Sequence, residues 1–201
     1  MLPLLLLIEK GALGIEDITA EDNRWYAGIG SSDTPDAELE LIVWIAQRLA
    51  CHGWGLRSGG ARGADTAFER GALEQGGPTE IFLPELGYAS RIIGIDASAL
   101  PCAERAAQLA ESLHLRWHRQ NALGRRLITR NVHQVLGADL ESPVSFVLCW
   151  ALGSIWREDQ IINVSGGTGL AVRLAATRGI PVFNLCVPEH RQRIEHWLGS
   201  G

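Results

Sequence analysis

The chain has 201 residues, 46% of them hydrophobic and 20% charged, with 23 glycines; this excludes a disordered chain and argues for one domain that buries roughly 70% of its unfolded surface. Its formal net charge of −5 excludes wholesale coating of nucleic acid, where affinity comes from phosphate neutralisation by Lys and Arg. Cys51, Cys102, Cys149 and Cys186 are far apart with no CxxC pair, which excludes a zinc knuckle or disulfide framework and predicts reduced thiols in a cytoplasmic protein.

Residues 1–23 read as an N-terminal extension. Its apolar run, Leu2 to Ile8, is too short to span a bilayer and has no basic flank, so neither a membrane anchor nor a leader is expected. The domain proper is expected over 24–201. Trp25 to Gly30 predicts a buried strand ending in Gly28-Ile29-Gly30-Ser31-Ser32, with Thr34 as helix N-cap and Pro35 at the first helical position. The helix runs to about Ala50, since Leu39, Ile42, Val43, Ala46 and Leu49 recur at helical spacing. Asp36 and Glu38 in its first turn suit the helix dipole but repel a phosphate.

Trp54 to Ser58 predicts the second strand and Arg62 to Glu74 the second helix, joined by Gly59-Gly60-Ala61. Glu80 to Leu83 is a third strand. Pro84 to Leu100 breaks the pattern, as an excursion over the strand ends placed to act as a lid. Helices follow over Pro101 to Leu115 and Ala122 to Leu136, with Arg116, Arg119, Arg125, Arg126 and Arg130 as the main basic cluster. Pro143 to Trp150 is a near-continuous apolar strand of the kind covered on both faces. A second excursion, Ala151 to Val164, leads to Ser165-Gly166-Gly167-Thr168-Gly169, a helix that Gly179 ends, a strand over Ile180 to Leu185, and a closing helix over Pro188 to Leu198. This alternation predicts an α/β fold: a single doubly wound, Rossmann-like domain with a mostly parallel sheet.

Both glycine loops then fall at the carboxyl ends of strands, where such sheets bind ligands. Neither matches the GxGxxG fingerprint nor a Walker loop. Glycine lets the backbone approach a ligand, and the N–H groups opening each helix suit an anion. The ligand-binding set is therefore Gly30, Ser31 and Ser32 in the first loop, and Ser58, Gly59, Gly60, Ala61, Arg62 and Asp65 in the second. Arg130 and Asn131 on the helix complete it with Gly166, Gly167, Thr168 and Gly169.

Tyr26-Ala-Gly-Ile-Gly-Ser31, Ser58-Gly-Gly-Ala-Arg-Gly-Ala-Asp65, Arg130-Asn131 and Gly166-Gly-Thr-Gly169, in this order, resemble the Rossmann-like superfamily of DprA/Smf proteins, LOG phosphoribohydrolases and SLOG nucleotide sensors. The nearest likeness is to DprA-like proteins of bacteriophages. The resemblance implies a nucleotide or nucleotide-derived ligand with its phosphate on the glycine loops, and by analogy a homodimer or higher homo-oligomer. No metal and no further cofactor are expected.

Departures narrow the activity. Where LOG enzymes carry Pro, Thr and a catalytic Glu around their second glycine loop, this chain has Ser165, Leu170 and Arg173. A phosphoribohydrolase reading keeps Arg130 and needs Asp65 or Glu69 as substitute carboxylate, so Arg130 and Asp65 are the catalytic candidates. DprA relatives usually place Arg where this chain has Ser32, which with the negative charge disfavours single-stranded DNA as partner. His114 and His118 have helical spacing but no third metal ligand nearby, and read as solvent-facing. Trp150 and Trp156 flank the second excursion and are candidates to stack a base, against core packing as the plainer role. Ser58 and Ser165 sit in no nucleophile elbow.

Overall fold

The computed structural model describes residues 24–152, 155–157, 160–162 and 166–199. The extension 1–23, Ser165 and the side chain of Trp156 lie outside the described residues. In chain order the elements are β1 (Trp25–Gly30), α1 (Asp36–Cys51), β2 (Gly55–Ser58), α2 (Ala64–Glu74), β3 (Thr79–Leu83), β4 (Ile95–Asp96), α3 (Ala103–Leu113), α4 (Ala122–Leu136), β5 (Phe146–Trp150), β6 (Ile155–Arg157), β7 (Gln160–Ile162), α5 (Gly166–Thr177), β8 (Val182–Asn184) and α6 (Pro188–Gly199). Six strands form one sheet in the order β4-β3-β2-β1-β5-β8, and β6 and β7 form a separate antiparallel ribbon. Every pairing in the six-stranded sheet is parallel, as a βαβ alternation with short turns requires.

The first excursion holds an element that periodicity could not show. Ile95 and Asp96 pair with Phe82 and Leu83 to add the edge strand β4. Two residues are too few for a period of two to register. The helix starts also shift. Pro35 is the N-cap of α1, and the Thr34 hydroxyl instead donates to Ser31 O at 2.8 Å. The second helix begins at Ala64, with Gly63 before it at φ +87°. A Cβ on Gly63 would stand 2.4 Å from Ser31 O, so the loop after β2 rests directly on the loop after β1.

Side chains alternate across the strands, and the two faces carry two cores. On one, Tyr26, Leu56, Phe146 and Leu148 pack against Ile42 and Leu49 of α1, Phe68 of α2 and Ile194 and Leu198 of α6. On the other, Ala27, Ile29, Val147 and Cys149 meet Ile128 and Val132 of α4, Leu170 and Leu174 of α5, and the alanines of α3. Burying each large apolar side chain contributes about 1.5–3 kcal/mol. No helix among the described residues is long and apolar enough to cross a membrane.

His133 of α4 is fully buried, stacked on Phe82 of β3 with centroids 5.6 Å apart. Its Nδ1 lies 3.0 Å from Gly137 O, and its Nε2 has no partner among the described residues. Burial holds the imidazoles of His133, His114 and His190 below the ordinary value of 6.5. The unfolded chain therefore binds protons near pH 6.5 that the folded chain refuses. Stability is complete above pH 6.5 and is lost as pH falls below it towards the folded-state values. Thermal denaturation between pH 8 and pH 5 is expected to show Tm falling below about 6.5, with a smaller fall for His133→Gln. A Tm that does not move across this range contradicts the assignment.

Candidate functional site

The loop after β1 is fixed by its neighbours. Gly30 has room for no side chain, since a Cβ there would lie 2.6 Å from the Ala64 Cβ and 2.8 Å from Trp150 O. Its N–H donates to Asp65 Oδ1 at 3.1 Å, and Ser31 N–H donates to Trp150 O at 3.1 Å. Asp65, one residue into α2 and 4% exposed, also accepts on Oδ2 from Ala61 N–H at 3.4 Å and from Arg130 Nη1 at 3.3 Å. Burial is the largest influence on its carboxyl and pushes it above the ordinary aspartate value, while Arg130 and the two N–H groups act in the opposite sense. All three of these partners are N–H donors, and a carboxylate satisfies them at both oxygens as a protonated acid cannot. The pair is read as ionised.

Arg130 explains the glycine after β2. A Cβ on Gly59 would stand 0.8 Å from Arg130 Nη1 and 2.0 Å from its Cζ. The guanidinium points its Nη1 end at the bare Cα of Gly59, which makes the predicted cradle a seat for the protein's own arginine. Gln134, fully buried and one helical turn beyond Arg130, closes the arrangement. Its amide orientation follows from its surroundings. The oxygen accepts from Gly59 N–H at 2.6 Å and Arg130 Nη1 at 2.9 Å, and the nitrogen donates to Asn131 Oδ1 at 2.6 Å. Nη1 thus carries both inner contacts, and Arg130 Nε finds no acceptor among the described residues. A buried donor left so costs about 1–3 kcal/mol unless something else accepts from it.

Asn131 in turn faces the second glycine loop. A Cβ on Gly167 would lie 2.3 Å from Asn131 Nδ2, so α4 and the start of α5 meet here without intervening side chains. Between these pieces is a cavity of about 360 Å³. Its walls come from Gly30, Ser31 and Ser32 after β1, Ala61 and Asp65, Arg130, Asn131 and Gln134 of α4, and Gly167 and Thr168 of α5. Strand β1 has β2 on one side and β5 on the other, and the helices following them cover opposite faces. The cavity therefore sits at the switch point of a doubly wound sheet.

Other predicted residues have other employment. Ser58 is buried and its hydroxyl donates to Gly28 O at 2.7 Å, tying β2 to β1. Gly60, at φ +61°, backs onto Ile81 and Arg91. The Arg62 side chain is 80% exposed and pairs with Asp33 at 3.2 Å, outside the cavity wall. Gly166 opens α5 and Gly169 is buried within it. Arg173, where LOG enzymes carry the Glu, donates from Nε to Leu113 O at 2.9 Å. Glu69 pairs with Arg91, which leaves Asp65 as the cavity's carboxylate. His114 is buried, with Nδ1 accepting from Arg116 N–H at 3.3 Å, correcting its expected solvent-facing position; His118 is exposed. The Trp150 ring belongs to the core under α1 and so does not stack a base. No group of three potential metal-ligating His, Cys, Asp or Glu occurs among the described residues.

The excursion after β3 reaches the site through Tyr88, which lines the cavity. Two ion pairs hold it, Arg91 to Glu69 of α2 and Glu85 to Arg126 of α4 at 3.2 Å. Ala89 and Ser90 are left-handed at φ 52° and 62°, and Ile92 and Ile93 are more than 80% exposed. Sequence reasoning missed Tyr88 and Gln134. Gln134 left a signal, an uncharged polar residue on the same helix face as Arg130 and Asn131, four and three residues before it.

No protein-family model matches the chain, and no curated protein does. Similar solved structures include the Moco carrier protein of Chlamydomonas rheinhardtii, at 19% identity over 89% of this chain and 86% of that one, with a TM-score of 0.45. DNA processing protein A (DprA) from Streptococcus pneumoniae is similar at 15% identity over 89% of this chain, with a TM-score of 0.49; the chain spans 56% of that protein. DNA processing protein A from Helicobacter pylori, described with a single-stranded DNA binding mode, is similar at 15% identity over 93% of this chain and 85% of that one, with a TM-score of 0.37. The Rossmann-like α/β assignment itself stands on the strand order and helix placement above.

Proposed function

We propose that the protein binds a nucleotide or nucleotide-derived small molecule in the cavity at the switch point, with its phosphate against Arg130 and the first turn of α5. The observation that carries this reading is Arg130 itself. A guanidinium held against Gly59, anchored through Nη1 by Asp65 and Gln134 and lining the cavity, is a preorganised anion donor. The N–H groups that open α5 add partial positive charge on the adjoining wall. Micromolar binding takes about 8 kcal/mol, and charge-assisted hydrogen bonds contribute about 1.5–3 kcal/mol each. Arg130, two backbone N–H groups and a base packed between Tyr88 and Leu127 reach that figure.

The test is thermal unfolding against a panel of nucleotides and their phosphate esters. A ligand at one hundred times its Kd stabilises by about 2.7 kcal/mol, a shift of roughly 5–10 °C for a chain of this size. The same shift measured on Asn131→Ala is expected to shrink, because Asn131 joins Gln134 to the α5 entrance. A panel without any shift, and native mass spectra without retained ligand, would reject the proposal. Assaying the same incubations for free base decides whether the nucleotide is also cleaved.

A further inference from the structure

The arginines around the cavity mouth share one property. Arg62, next to Ala61 in the wall, pairs with Asp33; Arg91, three residues past Tyr88, pairs with Glu69; Arg126, next to Leu127, pairs with Glu85; and Arg130 pairs with Asp65. Each guanidinium already has a carboxylate of its own. The first turn of α1 carries Asp36 and Glu38, and Glu38 pairs with Arg191 of α6 at 3.2 Å. None of the six histidines lines the cavity, and Tyr88 is its remaining ionisable side chain. Among the described residues, what stays uncompensated is the partial charge of the α5 N-terminus, equivalent to about half a positive charge.

A doubly charged phosphate would enter this cavity with more than one negative charge unanswered, beside the Asp65 carboxylate. Burying uncompensated charge is costly, and repulsion from Asp65 adds to it. A singly charged group matches the Arg130 guanidinium on the cavity wall and the helix end far better. We propose that the cavity selects a monoanionic ligand, a phosphodiester on an otherwise neutral molecule, over the dianionic phosphomonoester of the same molecule. This rests on the binding reading above and adds the charge class of the ligand.

Calorimetric titration with each 5′-ribonucleoside monophosphate and its phosphate methyl ester tests it. The two probes differ in charge at the same phosphorus. The methyl ester is expected to bind with the same Kd at pH 6 and pH 8. The monophosphate, with a second pKa of about 6, is about half monoanion at pH 6 and about 1% at pH 8, so its affinity is expected to fall roughly fifty-fold between them. In Asp65→Asn the Arg130 charge is released, and monophosphate binding at pH 8 is expected to tighten at least tenfold. A monophosphate that binds at pH 8 as tightly as its ester, or more tightly, overturns the selectivity while leaving the binding reading in place. Failure of both probes at both pH values overturns the two together. If Asp65→Asn does not fold, the paired pH profiles of the unaltered protein still decide.

Discussion

Arg130→Met is expected to lower the stability of the fold by about 3–5 kcal/mol, because it leaves the Asp65 carboxylate buried without its cation. At 2–4 °C per kcal/mol this is a fall in Tm of roughly 6–20 °C. The Asp65 oxygens keep the N–H groups of Gly30 and Ala61, but a dipole pair is weak compensation for a full charge at 4% exposure. Adding Asp65→Asn to Arg130→Met should restore part of the loss, since the amide needs no counter-ion, although its NH2 can no longer accept from one of the N–H groups of Gly30 and Ala61. Urea unfolding of the two variants and the double variant measures this. A loss below about 1 kcal/mol for Arg130→Met would mean that the carboxyl is neutral in the folded protein.

Gly59→Ala should cost nearly as much, which is unusual for adding one methyl group in an allowed backbone conformation. The methyl carbon would occupy the place of Nη1, 0.8 Å away, so the guanidinium must leave its seat and Asp65 loses its partner. The signature is non-additivity. In the Arg130→Met background the space above Gly59 is vacated, and Gly59→Ala should then cost only a few tenths of a kcal/mol, a coupling of about 2 kcal/mol or more. Gly60→Ala serves as the contrast. Its cost comes from φ +61°, of the order of 1 kcal/mol, and should be the same with or without Arg130.

These effects mark where the sequence stopped being legible. The order of strands and helices followed from periodicity and glycine punctuation, because each helix buries one face and each central strand two. The residues at the strand ends were also found, since glycine pairs before helices are visible in one dimension. Their roles were not. Gly59-Gly60 reads as a ligand cradle until Arg130, far along the chain, is seen lying on it. Arg62 reads as a donor because it opens a helix, yet its side chain turns to Asp33 and solvent. No local pattern carries either fact, because both depend on contacts between segments whose separation only the folded sheet removes. Gln134 is the intermediate case, an oddity on a helix face whose meaning needs Gly59 and Asn131 beside it.

The sheet's two margins bear on how copies of this chain can meet. Strand β4 has two residues and β8 three, against five or six in the strands between β3 and β5 except for the four of β2. An outer strand that short offers a neighbouring molecule only one or two main-chain hydrogen bonds, too few to hold another strand in register. Among the described residues the sheet is in effect blunted on both sides. Growth by edge addition is disfavoured there, and any self-association through the described residues would use the outward surfaces of the helices, where specificity comes from side chains and can be changed one residue at a time.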